Sequence, residues 1–203
     1  TGNLQNPNEV GHGYEMAGSA LMRPAGDKLK WHFKADRVHD FAWAADPDYK
    51  HIKKVREDGT VLHYLYQPKD ADNEENWKKL PGIMDVALTY MEARYGQYPY
   101  KQYTVIQGGD GGMEYPMSTL ITGERPLGSL VGVSVHELMH SWYQMILGTN
   151  ESLYPWMDEG FTSFASSEVM NHLRAIQAMP GKVSDFPQKG SYGGYFAIAN
   201  SGK

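Results

Sequence analysis

The 203-residue sequence contains no cysteine. That absence rules out a disulfide-stapled scaffold, a thiol nucleophile and any metal or cluster site built on thiolates. His, Asp and Glu remain as the strong metal ligands, and the redox compartment stays open. Excess positive charge is missing too: 19 Lys and Arg stand against 24 Asp and Glu, a net charge of −5 with neutral histidines. No basic field is available to gather nucleic acid or anionic lipid, so neither is expected as a partner. No stretch approaches the roughly 18–20 consecutive apolar residues that span a bilayer. The longest candidate is the small-residue run Leu127 to Val135, and no membrane span is expected. An initiator Met and an apolar leader are also absent at Thr1. We therefore expect a soluble protein read without an upstream segment, with export through a removed leader compatible. What is present, 41% hydrophobic and 21% charged residues, is a globular composition sufficient for one domain or one with part of another.

Along the chain the pattern changes once. In the first third, aromatic and β-branched residues alternate with polar ones over Leu29 to Lys34 and Val61 to Tyr66, which predicts strands. Asp58-Gly59 predicts a hairpin turn between Tyr49 to Arg56 and the second of these runs. The polar, acidic stretch Pro68 to Asn76 reads as a linker or exposed crossover, and a domain boundary is placed there, dividing 1–70 from 71–203. Beyond it Leu80, Ile83, Met84, Ala87, Leu88, Met91 and Tyr95 recur at helical spacing, with Pro81 expected in the first turn and Gly96 as the C-terminal cap. A strand, Tyr103 to Gln107, precedes the glycine-rich loop Gly108 to Gly112. A second extended piece, Met113 to Thr122, is interrupted by Pro116 and is therefore expected at a sheet edge. Helices are predicted from about Leu130 to Leu147, closed by Gly148, and from about Trp156 to Leu173, while Pro180 to Lys203 shows no pattern.

The chemistry concentrates in the second half. His136-Glu137-Leu138-Met139-His140 puts two imidazoles one helical turn apart on one face, able to share an ion, with Glu137 beside it. Two ordinary histidines on a solvated face are the alternative. Glu159, after 18 intervening residues, lies near the start of the next helix, where it can complete a two-histidine, one-carboxylate site or serve as a helix-start carboxylate, or both. Three protein ligands leave one position open, as in catalytic zinc sites. Amide hydrolysis needs a nucleophilic water, a polarised carbonyl and a proton for the leaving amine. Zinc meets the first two, and Glu137 can supply the third as general base and acid.

The loop Gly108 to Gly112 lacks the Lys-Ser/Thr of a phosphate cradle and leads into an extended piece, so a nucleotide site is rejected. Its glycines instead let a peptide backbone approach an edge strand. There Glu114 is either an amine-holding carboxylate or a surface glutamate kept for solubility. Asp158 is a candidate hydrogen-bond acceptor for a ligating imidazole or an ordinary helix-start aspartate. His12, His32, His39, His51, His63 and His172 show no ligand spacing and read as structural or surface residues; Trp142, Trp156, Phe161 and Phe164 read as core.

Three motifs in order resemble the M1 family of zinc aminopeptidases, a group of gluzincins: Gly-Gly-Met-Glu-Tyr (111–115) is similar to the family's Gly-Ala-Met-Glu-Asn, followed by His136 to Trp142 and Trp156 to Phe161. Val38 to Asp46 is similar to the closing strands of the family's N-terminal β domain. The resemblance implies an α+β fold, with 1–70 the end of that β domain and 71–203 the first part of a thermolysin-like catalytic domain, a mixed sheet with an edge strand and zinc-binding helices. It implies one zinc ion per chain on His136, His140 and Glu159, Glu137 as general base and acid, and Glu114 binding a free α-amine, with Gly111, Gly112 and Met113 beside the substrate. The substrates implied are peptides with a free N-terminus. The alternatives are a gluzincin endopeptidase and a non-catalytic peptide-binding or scaffold relative. Tyr115 replaces the motif's Asn. The family's transition-state tyrosine is expected beyond Lys203, so Tyr192 and Tyr195 are not assigned that role. The rest of the β domain and the helical C-terminal domain are expected to complete the protein.

Overall fold

The structure is a computed structural model, and it describes residues 1–202. As the resemblance implies, it is α+β, organised on one mixed five-stranded sheet. A two-residue pair, β1 (Asn3–Leu4) with β2 (Phe33–Lys34), lies in the N-terminal segment together with a short helix, α1 (Pro7–Val10). The main sheet comprises β3 (Lys50–Val55), β4 (Val61–Tyr66), β5 (Gln102–Gln107), β6 (Met113–Tyr115) and β7 (Ser118–Ile121), in the spatial order β3-β4-β5-β7-β6. Strands β3 and β4 form the expected hairpin. Gly59 adopts φ +84° in its turn, where Asp58 Oδ1 accepts from the Thr60 amide at 2.9 Å. Pairings β4–β5 and β5–β7 are parallel, and β6 returns antiparallel to β7 as the edge strand.

Parallel neighbours require a crossover, and α2 (Ala71–Tyr95) supplies it between β4 and β5. The boundary expected at residue 70 therefore falls inside one sheet. The acidic stretch, read as a linker or exposed crossover, is the start of this crossover helix: Asp70 caps it by accepting from the Asn73 amide at 2.8 Å, and Asp72 and Glu74 meet the positive end of the helix dipole. Pro81 consequently lies in the helix interior rather than its first turn. It lacks the N–H that would bond the preceding turn, a cost of about 3 kcal/mol, set against a buried face of Trp77, Leu80, Ile83, Met84, Ala87, Leu88 and Met91. Gly96 ends the helix as expected, its N–H bonded to Glu92 O.

Helices α3 (Leu127–His140) and α4 (Phe161–Ala175) pack with α2 on one face of the sheet. Alternation along the strands divides the residues cleanly. Leu62, Tyr64, Tyr66, Tyr103 and Val105 enter the core with Leu130, Val131, Val135 and Leu138. Val61, His63, Leu65, Thr104 and Ile106 face the other way, toward a cavity of about 1460 Å³ under the N-terminal segment.

Three further expectations change. Leu29 to Lys34 gives only the short β2, because Asn6 occupies the backbone that a partner strand would need: its Nδ2 donates to Lys30 O and its Oδ1 accepts from the His32 amide. Pro116 sits in the turn between β6 and β7, where Met117 takes φ +66°, and so splits the expected extended piece into a hairpin. The unpatterned C-terminal stretch contains α5 (Lys189–Ala199), a helix with no buried residue. Among the described residues no helix is long and apolar enough to cross a membrane.

Candidate active site

The site is built where α3 ends. Apolar residues seat α3 against the core through Leu130, Val131, Val135, Leu138 and Met139, which leaves His136 and His140 on one side, one turn apart. After His140 the backbone widens into a π-helical turn, Ser141–Ile146, and a second such turn, Trp156–Gly160, carries Glu159 into α4. Such widened turns are frequent at functional positions.

The expected ligands converge. His136 Nε2 lies 3.1 Å from Glu159 Oε2, His140 Nε2 lies 3.2 Å from His136 Nε2, and His140 Nε2 lies 3.8 Å from Glu159 Oε2. A tetrahedral ion with bonds of about 2.0–2.1 Å has ligand atoms about 3.3–3.4 Å apart. The observed triangle brackets that edge. The carboxylate side chain is more than half exposed while His140 is fully buried, so the triangle has an open side.

Glu114, His140 and Asp158 form a second group with ligand atoms within 4.8 Å of one another. Its shortest contact is a hydrogen bond: His140 Nδ1 donates to Asp158 Oδ1 at 2.6 Å, far closer than two ligands of one ion stand, and Thr162 Oγ1 lies 3.3 Å from the same nitrogen. With its proton on Nδ1, His140 turns a bare Nε2 lone pair toward the triangle.

Glu137 is buried between α3 and the loop before β6, its Oε2 having no hydrogen-bond partner among the described residues. The loop approaches so closely that a Cβ at Gly112 would collide with Glu137 Oε1 and press on Val133. The glycine lets the loop pass without displacing the tip of the Glu137 side chain. On the edge strand β6, half-buried Glu114 stands opposite Thr119, whose Oγ1 donates to Met113 O at 3.0 Å. Arg125 ties the loop down, with Nη2 donating to Gly111 O at 2.7 Å.

Burial and mutual repulsion shape the charges. Burial, then the charges of Glu114, Glu159 and Asp158, push Glu137 up to about 8, with Arg125 opposing. Burial, then Glu114, Glu159 and Glu151, push Asp158 up to about 7. Glu114 is raised chiefly by burial. Burial and neighbouring His136 push His140 down to about 3, keeping it neutral. The neutral His140, the neighbouring His136, crowded carboxylates and an unpartnered buried oxygen together form a donor set suited to a divalent cation.

Trp142 is 5% exposed and belongs to the core, but Trp156, Phe161 and Phe164, also expected there, are 63%, 43% and 54% exposed. They flank the site on the outside of the π turn and α4. Tyr192 and Tyr195 lie exposed on α5. His51 and His63 do pair, His51 Nε2 lying 2.9 Å from His63 Nδ1, but on the other side of the sheet, facing the cavity under the N-terminal segment. Thr162 and Arg125 escaped the sequence reading. Thr162 falls three residues after Glu159, a helical spacing that could have marked it, whereas Arg125 carries no local signal.

No family profile matches the chain. It is 31% identical over 114 residues to human aminopeptidase B, covering 51% of this chain and 16% of that protein. It is 37% identical over 73 residues to leucine aminopeptidase 2 of Lodderomyces elongisporus, covering 34% of this chain and 11% of that protein. These relatives match in the sequence and agree with the three ordered motifs. In sequence the chain is similar to aminopeptidases, the likeness that its three M1-type motifs imply. Native leukotriene A4 hydrolase from Saccharomyces cerevisiae is similar in fold, with a TM-score of 0.50 and 18% identity over 76% of this chain and 23% of that one. These relatives are much longer: the matched stretch spans about a sixth or less of the curated proteins.

Proposed function

We propose that this chain carries the metal-binding part of an aminopeptidase that removes the first residue of peptides. The observation supporting this most strongly is the convergence of His136, His140 and Glu159 on one point, beside an edge strand that presents Glu114. We assign the sheet from Lys50 onward to the catalytic unit and the residues before it to the end of a preceding β domain.

His136 Nε2, His140 Nε2 and Glu159 would hold zinc, which when bound supplies Lewis acidity and a lowered water pKa. The chain's own residues do the rest. The outer edge of β6 offers backbone groups to an extended peptide, fixing its direction. Glu114, in a half-buried carboxylate position, pairs with the α-ammonium and so counts one residue from the chain end to the scissile bond. Glu137, unpartnered and buried, takes the proton of the attacking water and delivers it to the departing nitrogen. Asp158 and Thr162 hold His140 in the tautomer that leaves Nε2 free.

The test is hydrolysis of an aminoacyl reporter by the protein at its natural length. Activity is expected to disappear on chelation, in Glu137→Gln with zinc retained, and on acetylation of the reporter's amine. Equal cleavage of the acetylated reporter would refute the role given to Glu114 and favour an endopeptidase. Binding of peptide without turnover would favour a scaffold.

A further inference from the structure

The loop before β6 has four glycines in five residues, Gly108-Gly109-Asp110-Gly111-Gly112. Such a sequence has little conformational preference of its own, yet it sets where β6 and Glu114 stand relative to α3. Two hydrogen bonds hold it to its surroundings: Gly108 N donates to Ile121 O at 2.7 Å, and Arg125 Nη2 donates to Gly111 O at 2.7 Å. Among the described residues, Arg125 is the one side chain that hydrogen-bonds to this loop.

Arg125 is itself fixed on three sides. Its Nε donates to Thr122 O at 3.0 Å, at the end of β7, and its Nη1 donates to Ser129 Oγ at 3.1 Å, in the first turn of α3. Asn76 of α2 donates to its carbonyl oxygen at 3.3 Å. A planar guanidinium with all three nitrogens engaged acts as a bracket joining strand, helix and loop. The joined parts matter for one distance. Gly111 lies three residues before Glu114, and Ser129 lies two turns before His136 on the same helix. The bracket therefore adds a hydrogen-bonded link between the amine anchor and the helix of the metal ligands, beside the direct packing of Gly112 on Glu137 and Val133.

Resting on the proposed aminopeptidase reading, we propose that Arg125 is a positioning residue that sets the span between Glu114 and the metal ligands, and so determines how strictly the enzyme requires a free N-terminus one residue from the cleaved bond. It touches neither substrate nor metal. Its effect is on selection between substrates.

The experiment compares wild type, Arg125→Ala, Arg125→Lys and Ser129→Ala in the full-length zinc-loaded protein. The readout is the ratio of kcat/KM for an aminoacyl reporter to that for the same reporter acetylated on its amine, with zinc content measured in parallel. A 1 Å misplacement at a distance costs on the order of 10²-fold in rate, so Arg125→Ala is expected to lower the ratio at least tenfold, mainly through a higher KM for the free amine, with zinc unchanged. Arg125→Lys, which keeps the charge and loses the fork, should recover part of the ratio, and Ser129→Ala should fall between Lys and wild type. A merely structural role would lower the active fraction and leave the ratio and KM alone; that outcome overturns the proposal. If Arg125→Ala does not fold, an unchanged ratio in both milder variants overturns it equally. A wild-type enzyme that fails to prefer the free amine would instead defeat the aminopeptidase reading itself.

Discussion

Replacing Asp158 by Ala tests how the buried imidazole is held. Asp158 Oδ1 accepts from His140 Nδ1 at 2.6 Å, and both side chains are nearly or fully removed from solvent. Losing a hydrogen bond to a charged partner in such a place costs about 1.5–3 kcal/mol. At about 1.4 kcal/mol per decade this is roughly a 10- to 100-fold loss of zinc affinity, the range seen when a partner of a ligating histidine is removed. Thr162 Oγ1, 3.3 Å from the same nitrogen, offers a weaker substitute acceptor, which should keep the loss toward the lower end. Asp158→Asn, which retains a neutral acceptor, should lose less, and Asp158→Ala with Thr162→Val should lose most. The assay is competition for zinc against a chromophoric chelator at pH 8, above the value of about 7 to which burial pushes Asp158. Zinc affinity in Asp158→Ala equal to wild type would refute the reasoning, since the bare lone pair on His140 Nε2 would then need no partner to orient it.

Two other predictions concern the scaffold. His63 is pushed down to about 3, first by burial and then by the charges of His51 and Lys53, so between pH 6.5 and 3 the unfolded chain binds a proton that the native chain refuses. Stability from this group is complete above pH 6.5 and is lost as pH falls, by about 1.4 kcal/mol per unit; His63→Gln should flatten urea-unfolding midpoints between pH 6.5 and 5, and parallel curves would contradict this. Arg56, with a 6% exposed side chain, donates to Asp85 at 2.9 Å and Glu92 at 2.9 Å on α2, clasping the β3–β4 hairpin to the crossover helix. Arg56→Ala leaves Asp85 with Lys54 at 3.2 Å and Glu92 with the Tyr98 amide at 3.2 Å, so the loss in denaturant unfolding should be that of hydrogen bonds to charged groups, about 1.5–3 kcal/mol; a loss below about 1 kcal/mol would show the pairs to be as weak as exposed ones.

What the residues reveal unaided depends on how local the cause is. The Asp58-Gly59 turn, the Gly96 cap and the four-residue spacing of His136 and His140 arise within one turn of chain, and each is visible in the sequence. The start of α2 is equally local, since Asp70 is a standard cap, but Pro81 masks it by suggesting a later first turn. The truncation of Leu29 to Lys34 was hidden because its cause, the Asn6 side chain, lies 24 residues from Lys30. Periodicity groups Trp156, Phe161 and Phe164 with helical neighbours without saying what covers them, so their exposure could not be inferred. The convergence of Glu159 with the histidines needed an assumption of antiparallel helices, and the structure brings all three together. Arg125 belongs to no motif: its bonds to Thr122 and Ser129 are local, but the one to Gly111, 14 residues back, forms only in the folded chain.

The two widened turns tie the geometry of the site to chain length. His140 is the last residue before one of them, and Glu159 lies inside the other. Removing a single residue from Trp156–Gly160 would restore ordinary winding and, at about 100° per residue, swing Glu159 to another side of its helix. Length in these six- and five-residue stretches is therefore as restrictive as side-chain identity: a deletion that spares every ligand would still scatter them.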